Sequence, residues 1–235
     1  MSIIKNSDKL LPNQPYFTKL YNNTSYPIES AIYDLVSNFN KVYSLKTHKQ
    51  SSGLNGKLLE YSTPDYMASI LCGFIKIIGA KKVLEIGTCA GSSSMHFADA
   101  VGEDGHVTTI EVGEEFANIA NENFKLNGYK NITLLQSDAM KVLMDLKKET
   151  FDFIYIDGSK EQYLEFALAS ESLLTKSGII VVDDVFFHGD VFNESVVTSK
   201  GSGCVKLMDH YLSNDRYTRF ILPIGNGMLV IKPLG

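Results

Sequence analysis

A doubly wound α/β sheet, mostly parallel, is the fold this sequence predicts, and three observations predict it. From Ser62 onward, short apolar and β-branched runs alternate with helical stretches, which is the pattern of repeated βαβ units. Two of the runs, residues 151–156 and 178–182, are almost wholly apolar, as strands buried on both faces are. Both runs end in carboxylates, Asp157 in one case and Asp183 with Asp184 in the other. Those side chains then fall at the C-terminal edge of the sheet, where open α/β sheets bind ligands.

The elements follow in order. Residues 15–57 read as a helical preface, with apolar residues at helical spacing over 28–36 and a loop at 51–56. Ser62, Thr63, Pro64 and Asp65 form a helix start, with a hydroxyl cap, proline at the first helical position and an early acid. That helix runs to about residue 78. A strand at 82–87, a helix at 92–100, a strand at 107–111 and a helix at about 114–127 come next. They are followed by a strand at 132–135 and a helix at 140–148. The two acid-tipped strands enclose a helix at 161–174, and residues 220–231 read as a hairpin around Gly225, Asn226 and Gly227. The sum is a seven-stranded sheet with an antiparallel C-terminal edge strand. One domain is expected over 1–235, with a helical extension at 1–57 and a core at 58–235.

Composition narrows the function. Hydrophobic content of 44% and charged content of 21% are those of a soluble globule, and 235 residues are enough for a large core. A net charge of −5 argues against affinity gained by neutralising phosphates. Cys72, Cys89 and Cys204 show no C-x-x-C spacing, which suits reduced thiols and speaks against a cysteine zinc site. Residues 1–14 are polar, and no apolar stretch approaches membrane-spanning length. A cytoplasmic location without membrane contact is the expectation.

Two places carry chemistry. Gly87 and Gly91 turn the first strand into a helix, which lets backbone approach a ligand and leaves helix N-terminal amides free. Glu111 ends the next strand 24 residues after Gly87, where nucleotide folds place an acid for ribose hydroxyls. Gln136, Ser137 and Asp138 could meet an adenine edge, with Ala139 leaving room for the ring. These positions describe an adenosine pocket without a pyrophosphate grip. At the other place, Asp157, Asp183 and Asp184 gather at one sheet edge and repel one another unless a hard cation neutralises them. Lys160 adds a candidate base.

These segments resemble the cation-dependent S-adenosylmethionine O-methyltransferases of the caffeoyl-CoA and catechol type. The matching residues are Thr63, Pro64 and Asp65; Leu84 to Thr88 with Gly91 and Ser93; Ile110 and Glu111; and Ser137, Asp138 and Ala139. They continue through Ile156, Asp157, Lys160 and Tyr163; Asp183, Asp184 and Gly189; and residues 222–227. The resemblance implies a Rossmann-like fold with S-adenosylmethionine contacts at Thr63, Glu85, Gly87, Ser93, Glu111, Ala139 and Asp157. It implies a divalent cation, Mg²⁺ before Ca²⁺ or Mn²⁺, on Asp157, Asp183 and Asp184. It also implies catalysis by Asp157 with Lys160 as general base, its pKa lowered beside the cation. A homodimer formed through the preface is implied as well.

Departures from the family pattern are informative. Asp184 stands where relatives usually carry Asn, which keeps oxygen coordination and adds a negative charge. Ser159 replaces an acid typical of the acyl-CoA-directed members, which leaves the acceptor open, and Asn226 replaces a frequent Asp. Phe186, Phe187 and Phe192 suit either a wall over a flat acceptor or core packing. His188 suits a supporting or solvent-facing role, and Tyr163 packing within the fold. The resemblance implies methyl transfer to a small catechol-like acceptor with vicinal oxygens. Methylation of 5-hydroxyuridine in transfer RNA is an alternative, to which Lys5, Lys9, Lys19, Lys41, Lys46, Lys49 and Lys57 could contribute phosphate contacts. A non-catalytic cofactor-binding protein is a further alternative. A nicotinamide dehydrogenase lacks its second closely spaced glycine here.

Overall fold

Buried strands and intervening helices close into one seven-stranded sheet in the computed structural model, which describes residues 48–49, 63–146 and 150–234. In chain order the elements are α1 (Asp65–Ile77), β1 (Lys82–Ile86), α2 (Ser92–Val101), β2 (His106–Glu111), α3 (Glu114–Leu126) and β3 (Ile132–Gln136). Then come α4 (Ala139–Asp145), β4 (Phe151–Ile156), α5 (Tyr163–Glu171), β5 (Leu174–Val182), α6 (Ser199–Leu212), β6 (Tyr217–Leu222) and β7 (Met228–Pro233). The strand order is β3-β2-β1-β4-β5-β7-β6. Strands β1 to β5 pair in parallel, and β7 pairs antiparallel with both β5 and β6. The reversed strand therefore lies one place in from the edge, which β6 occupies. The chain winds outward in both directions from the junction of β1 and β4, the switch point at which such sheets open a crevice.

Side-chain alternation divides the core into two layers. Leu84, Ile86, Ile154, Ile156, Ile180 and Val182 pack with residues of α4, α5 and α6. Val83, Val107, Phe153, Tyr155, Ile179 and Val181 pack with α1 and α2 on the other face. Each such side chain contributes about 1.5–3 kcal/mol when taken fully out of water.

Several elements differ from the sequence reading. Pro64 is the N-cap of α1, with extended backbone (φ −60°, ψ 148°), and no side chain caps the helix. With the proline one place earlier than expected, Thr63 falls outside the capping position. The long β5 begins at Leu174, and its polar start passes a register irregularity opposite residues 151–153 before the apolar run pairs regularly. The helix expected at 161–174 is a 3₁₀ turn, Lys160–Gln162, followed by α5. Helix α6 was not anticipated. Its buried Cys204, Leu207, Met208 and Tyr211 follow helical spacing, but Gly201 and Gly203 disguise it. A Cβ at Gly203 would strike the Lys160 carbonyl, so glycine there lets α6 press against the turn that carries Lys160.

Apart from His48 and Lys49, the preface lies outside the described residues, and so do its helices, its loop and its other lysines. Among the described residues, no helix is long and apolar enough to cross a membrane.

Candidate active site

Parallel register sets the functional residues in one row. Ile86 pairs with Ile110 on one side and Ile156 on the other, and Ile156 pairs with Val182. The next residues, Glu111, Gly87, Asp157 and Asp183, therefore stand level across four adjacent strands. Backbone bonds extend the register past the strand ends. Asp157 N–H donates to the Ile86 carbonyl (2.8 Å), Asp183 N–H to that of Ile156 (3.0 Å) and Gly87 N–H to that of Ile110 (3.0 Å).

At the switch point, Gly87 has φ +102°, and a Cβ there would lie 2.8 Å from the Asp157 carbonyl carbon. Only glycine fits so close an approach in that conformation. Gly91, at φ 81°, is the N-cap of α2, and no side chain caps that end, so amides of its first turn face outward. Cys89 between them also takes a positive φ of 47°, strain of the kind found at ligand-binding turns. Together Thr63, Gly87, Thr88, Cys89, Ala90, Ser92, Ser93 and Asp157 line a shallow cleft. Four of the expected cofactor residues, Thr63, Gly87, Ser93 and Asp157, are thus brought together.

The other three take different places. Glu111 is engaged by main chain, one oxygen accepting from Cys89 N–H (2.9 Å) and the other from Gly113 N–H (2.8 Å). It braces the turn beside the cleft. Ala139 opens α4, directly after Asp138, which accepts from Lys141 N–H at 3.0 Å. Glu85 is wholly buried beneath the cleft. Burial pushes its carboxyl up to about 7, although hydroxyls of Ser93, Ser94 and Thr109 pull it back. Ser94 and Thr109 both donate to Glu85 Oε2, and Thr88 is tied to Thr109 at 2.6 Å.

On the acidic side, Lys160 Nζ lies 3.0 Å from Asp157 Oδ1 and 3.1 Å from Asp184 Oδ2. Burial alone would lower the Lys160 pKa, but the two carboxylates outweigh it and hold the ammonium above the ordinary lysine range. That direction is opposite to the lowered value expected beside a metal ion. Asp183 is buried, with Oδ2 accepting from the Tyr155 hydroxyl (2.6 Å) and Oδ1 from Asp184 N–H (2.8 Å). Burial first, and repulsion from Asp157 and Asp184 second, push its carboxyl up to about 8. Asp157 is raised by burial and by Asp184, against the pull of Lys160.

Asp157, Lys160 and Asp184 thus converge, while Asp183 is turned toward Tyr155. Among the described residues, no three histidine, cysteine or carboxylate side chains stand close enough to hold a metal ion. By chemistry the residues do suit one: the donors are hard oxygens, and Asp157 and Asp183 are raised first by burial and then by neighbouring carboxylates. The ammonium of Lys160 already sits between two of them as a cation.

The segment after Asp184 is tightly coiled, with positive φ at Asp184 (54°), Phe187 (39°), His188 (51°) and Gly189 (84°). The hairpin turn holds it, because Val185 N–H donates to the Gly227 carbonyl and Phe186 N–H to that of Asn226. Phe186 is a core residue, whereas Phe192, 38% exposed, packs against it with tilted rings, centroids 5.0 Å apart. His188 meets Asn226 (Nδ1 to Nδ2, 3.5 Å) rather than a carboxylate. Tyr155, Ser94 and Thr109 escaped the sequence reading. Their only signal was polarity at positions where strand or helix faces the core.

A family profile described as O-methyltransferase matches residues 45–234. The probable caffeoyl-CoA O-methyltransferase 2 of Dictyostelium discoideum is 28% identical over 208 residues, covering 82% of this chain and 90% of that protein. A flavonoid 3',5'-methyltransferase of Vitis vinifera is 30% identical over 208 residues, covering 80% and 88%. An O-methyltransferase from Bacillus cereus, solved in complex with SAH, superposes with a TM-score of 0.72 at 21% identity over 85% of this chain and 97% of that one. That last likeness is one of fold.

Proposed function

We propose, on the premise that this chain belongs to the O-methyltransferase family, that it moves the methyl group of S-adenosylmethionine to a hydroxyl of a small catechol-like acceptor, assisted by a divalent cation. The observation that carries the reading is the position of Asp157. It lines the glycine-turn cleft and also pairs with Lys160 at the acidic edge, so both reactants would meet across one residue.

S-adenosylmethionine, when bound, supplies a sulfonium methyl open to in-line displacement. Thr63, Gly87 and Ser93 would hold it in the cleft, with Glu111 beside the turn to accept ribose hydroxyls. A divalent cation held by Asp157, Asp183 and Asp184 would act as a Lewis acid on an acceptor hydroxyl and take over the negative charge on which the Lys160 ammonium rests. Relieved of that charge, Lys160 would release its extra proton to solvent, and the neutral amine would then take the acceptor proton at Nζ. Vicinal oxygens suit the site because two neighbouring donors can share one cation. The relatives named for caffeoyl-CoA and flavonoid substrates support an oxygen-rich aromatic acceptor. A homodimer through the preface belongs to the same proposal.

The test is a methyl-transfer screen over catechols, flavonoids, acyl-CoA esters and undermodified transfer RNA, with and without a chelator. Chelation is expected to abolish turnover while S-adenosylmethionine binding, followed by calorimetry, largely persists. Undiminished turnover after complete metal removal would reject the cation, and turnover confined to transfer RNA would reject the small acceptor.

A further inference from the structure

We propose that Tyr155 is a positioning residue, whose phenol aims the Asp183 carboxylate for a divalent cation. The inference rests on the cation-dependent reading above. Tyr155 lies in β4 opposite Val181 of β5. Alternate residues of a strand project to the same face, so Asp183, two places beyond Val181, stands on the same side of the sheet as the Tyr155 ring. The phenol reaches it at 2.6 Å on Oδ2, and Asp184 N–H holds Oδ1 at 2.8 Å. With both oxygens held, the carboxylate cannot turn about its Cβ–Cγ bond, yet each oxygen keeps a lone pair for a metal.

The ring itself is fixed. It is wholly buried and meets Phe97 edge-on, with centroids 5.4 Å apart and planes at 80°. Phenylalanine would fill the same apolar layer equally well, so packing does not account for the hydroxyl. Groups that hydrogen-bond a metal-binding side chain set its orientation, and losing one typically weakens metal affinity by about 10- to 100-fold.

Tyr155→Phe in the full chain is the test, with Mn²⁺ binding followed by calorimetry and by the electron paramagnetic resonance of free Mn²⁺. The expected result is Mn²⁺ affinity weakened about 10-fold or more, with S-adenosylmethionine affinity kept within about 2-fold. In turnover, the half-saturating Mn²⁺ concentration rises, and kcat at saturating Mn²⁺ recovers. Tyr163→Phe is the control. Tyr163 is equally buried and among the described residues its hydroxyl has no hydrogen-bond partner, so the Mn²⁺ affinity of this variant stays that of wild type. Equal Mn²⁺ affinity in wild type and Tyr155→Phe overturns the inference and leaves the cation reading standing. Wild type that takes up no Mn²⁺ overturns both. Equal losses in the two variants, or a Tyr155→Phe chain that does not fold, also overturn the inference, because the hydroxyl would then serve the fold at large.

Discussion

The Thr109 hydroxyl donates to Glu85 Oε2 at 2.5 Å, while among the described residues the other carboxylate oxygen, Oε1, has no hydrogen-bond partner although the residue is wholly buried. A buried carboxyl satisfied on one side only is costly to ionise, which is why burial raises it from 4.5 to about 7.

Stability should therefore depend on pH through Glu85. The folded chain holds this proton in a range where the unfolded chain has released it. The contribution is neutral below about 4.5, turns unfavourable as pH rises towards 7, and is constant above that. Glu85→Gln removes the dependence. In urea unfolding of the metal-free protein, the variant should gain on the order of 3 kcal/mol over wild type between pH 4.5 and pH 8. The same variant should bind S-adenosylmethionine more weakly. A stability difference that does not change with pH would show that Glu85 is not the group involved.

Lys160→Met should separate binding from chemistry. It removes the cation lying 3.0 Å from Asp157 and 3.1 Å from Asp184. Under the proposed mechanism, kcat falls by about 10²- to 10⁴-fold with cofactor affinity nearly unchanged. Lys160→Arg, which keeps the charge but is a far poorer proton acceptor, should fall as well. Wild-type kcat in Lys160→Met would remove this lysine from the reaction.

The loop between the acidic edge and α6 should depend on Asp190. Its Oδ1 accepts from Val197 N–H (2.9 Å) and Asn193 Nδ2 (3.1 Å), and its Oδ2 from Thr198 N–H (3.0 Å) and Thr198 Oγ1 (2.6 Å). Asp190→Ala should lower stability by about 2–4 kcal/mol, measured by thermal or urea unfolding. These bonds, that of the Thr198 hydroxyl foremost, lower the carboxyl to about 2. Its stabilisation is accordingly complete above the ordinary value of 3.8 and is lost as pH falls through about 2. An Asp190→Ala chain as stable as wild type at pH 7 would contradict this account.

Much of the fold was legible because β-branched runs and glycine turns act locally. The runs 151–156 and 178–182 announced buried parallel strands, and Gly87 announced a close backbone approach. Helix α6 was not legible, since Gly201 and Gly203 serve contacts with Asp190 and Lys160 at the expense of helix propensity. The polar start of β5 was hidden for a similar reason, as residues 175–178 pass an irregular stretch of ladder. Within the site, the residue types were readable and their pairings were not. Tyr155 and Asp183 are 28 residues apart in sequence and meet only through the register of β4 with β5. The pairing of Lys160 with Asp157 and Asp184 was equally hidden, because the two carboxylates come from different strand ends.

The junction of β1 with β4 has a consequence for how the protein can diversify. Under the proposed function, residues 63–146 would supply most of the methyl-donor cleft and residues 150–234 the acidic edge facing the acceptor, with Asp157 bordering both. Inheritance can thus act on the two reactants separately. On that reading, substitutions confined to the later part of the gene would retune acceptor choice while the earlier part went on serving an unchanged donor.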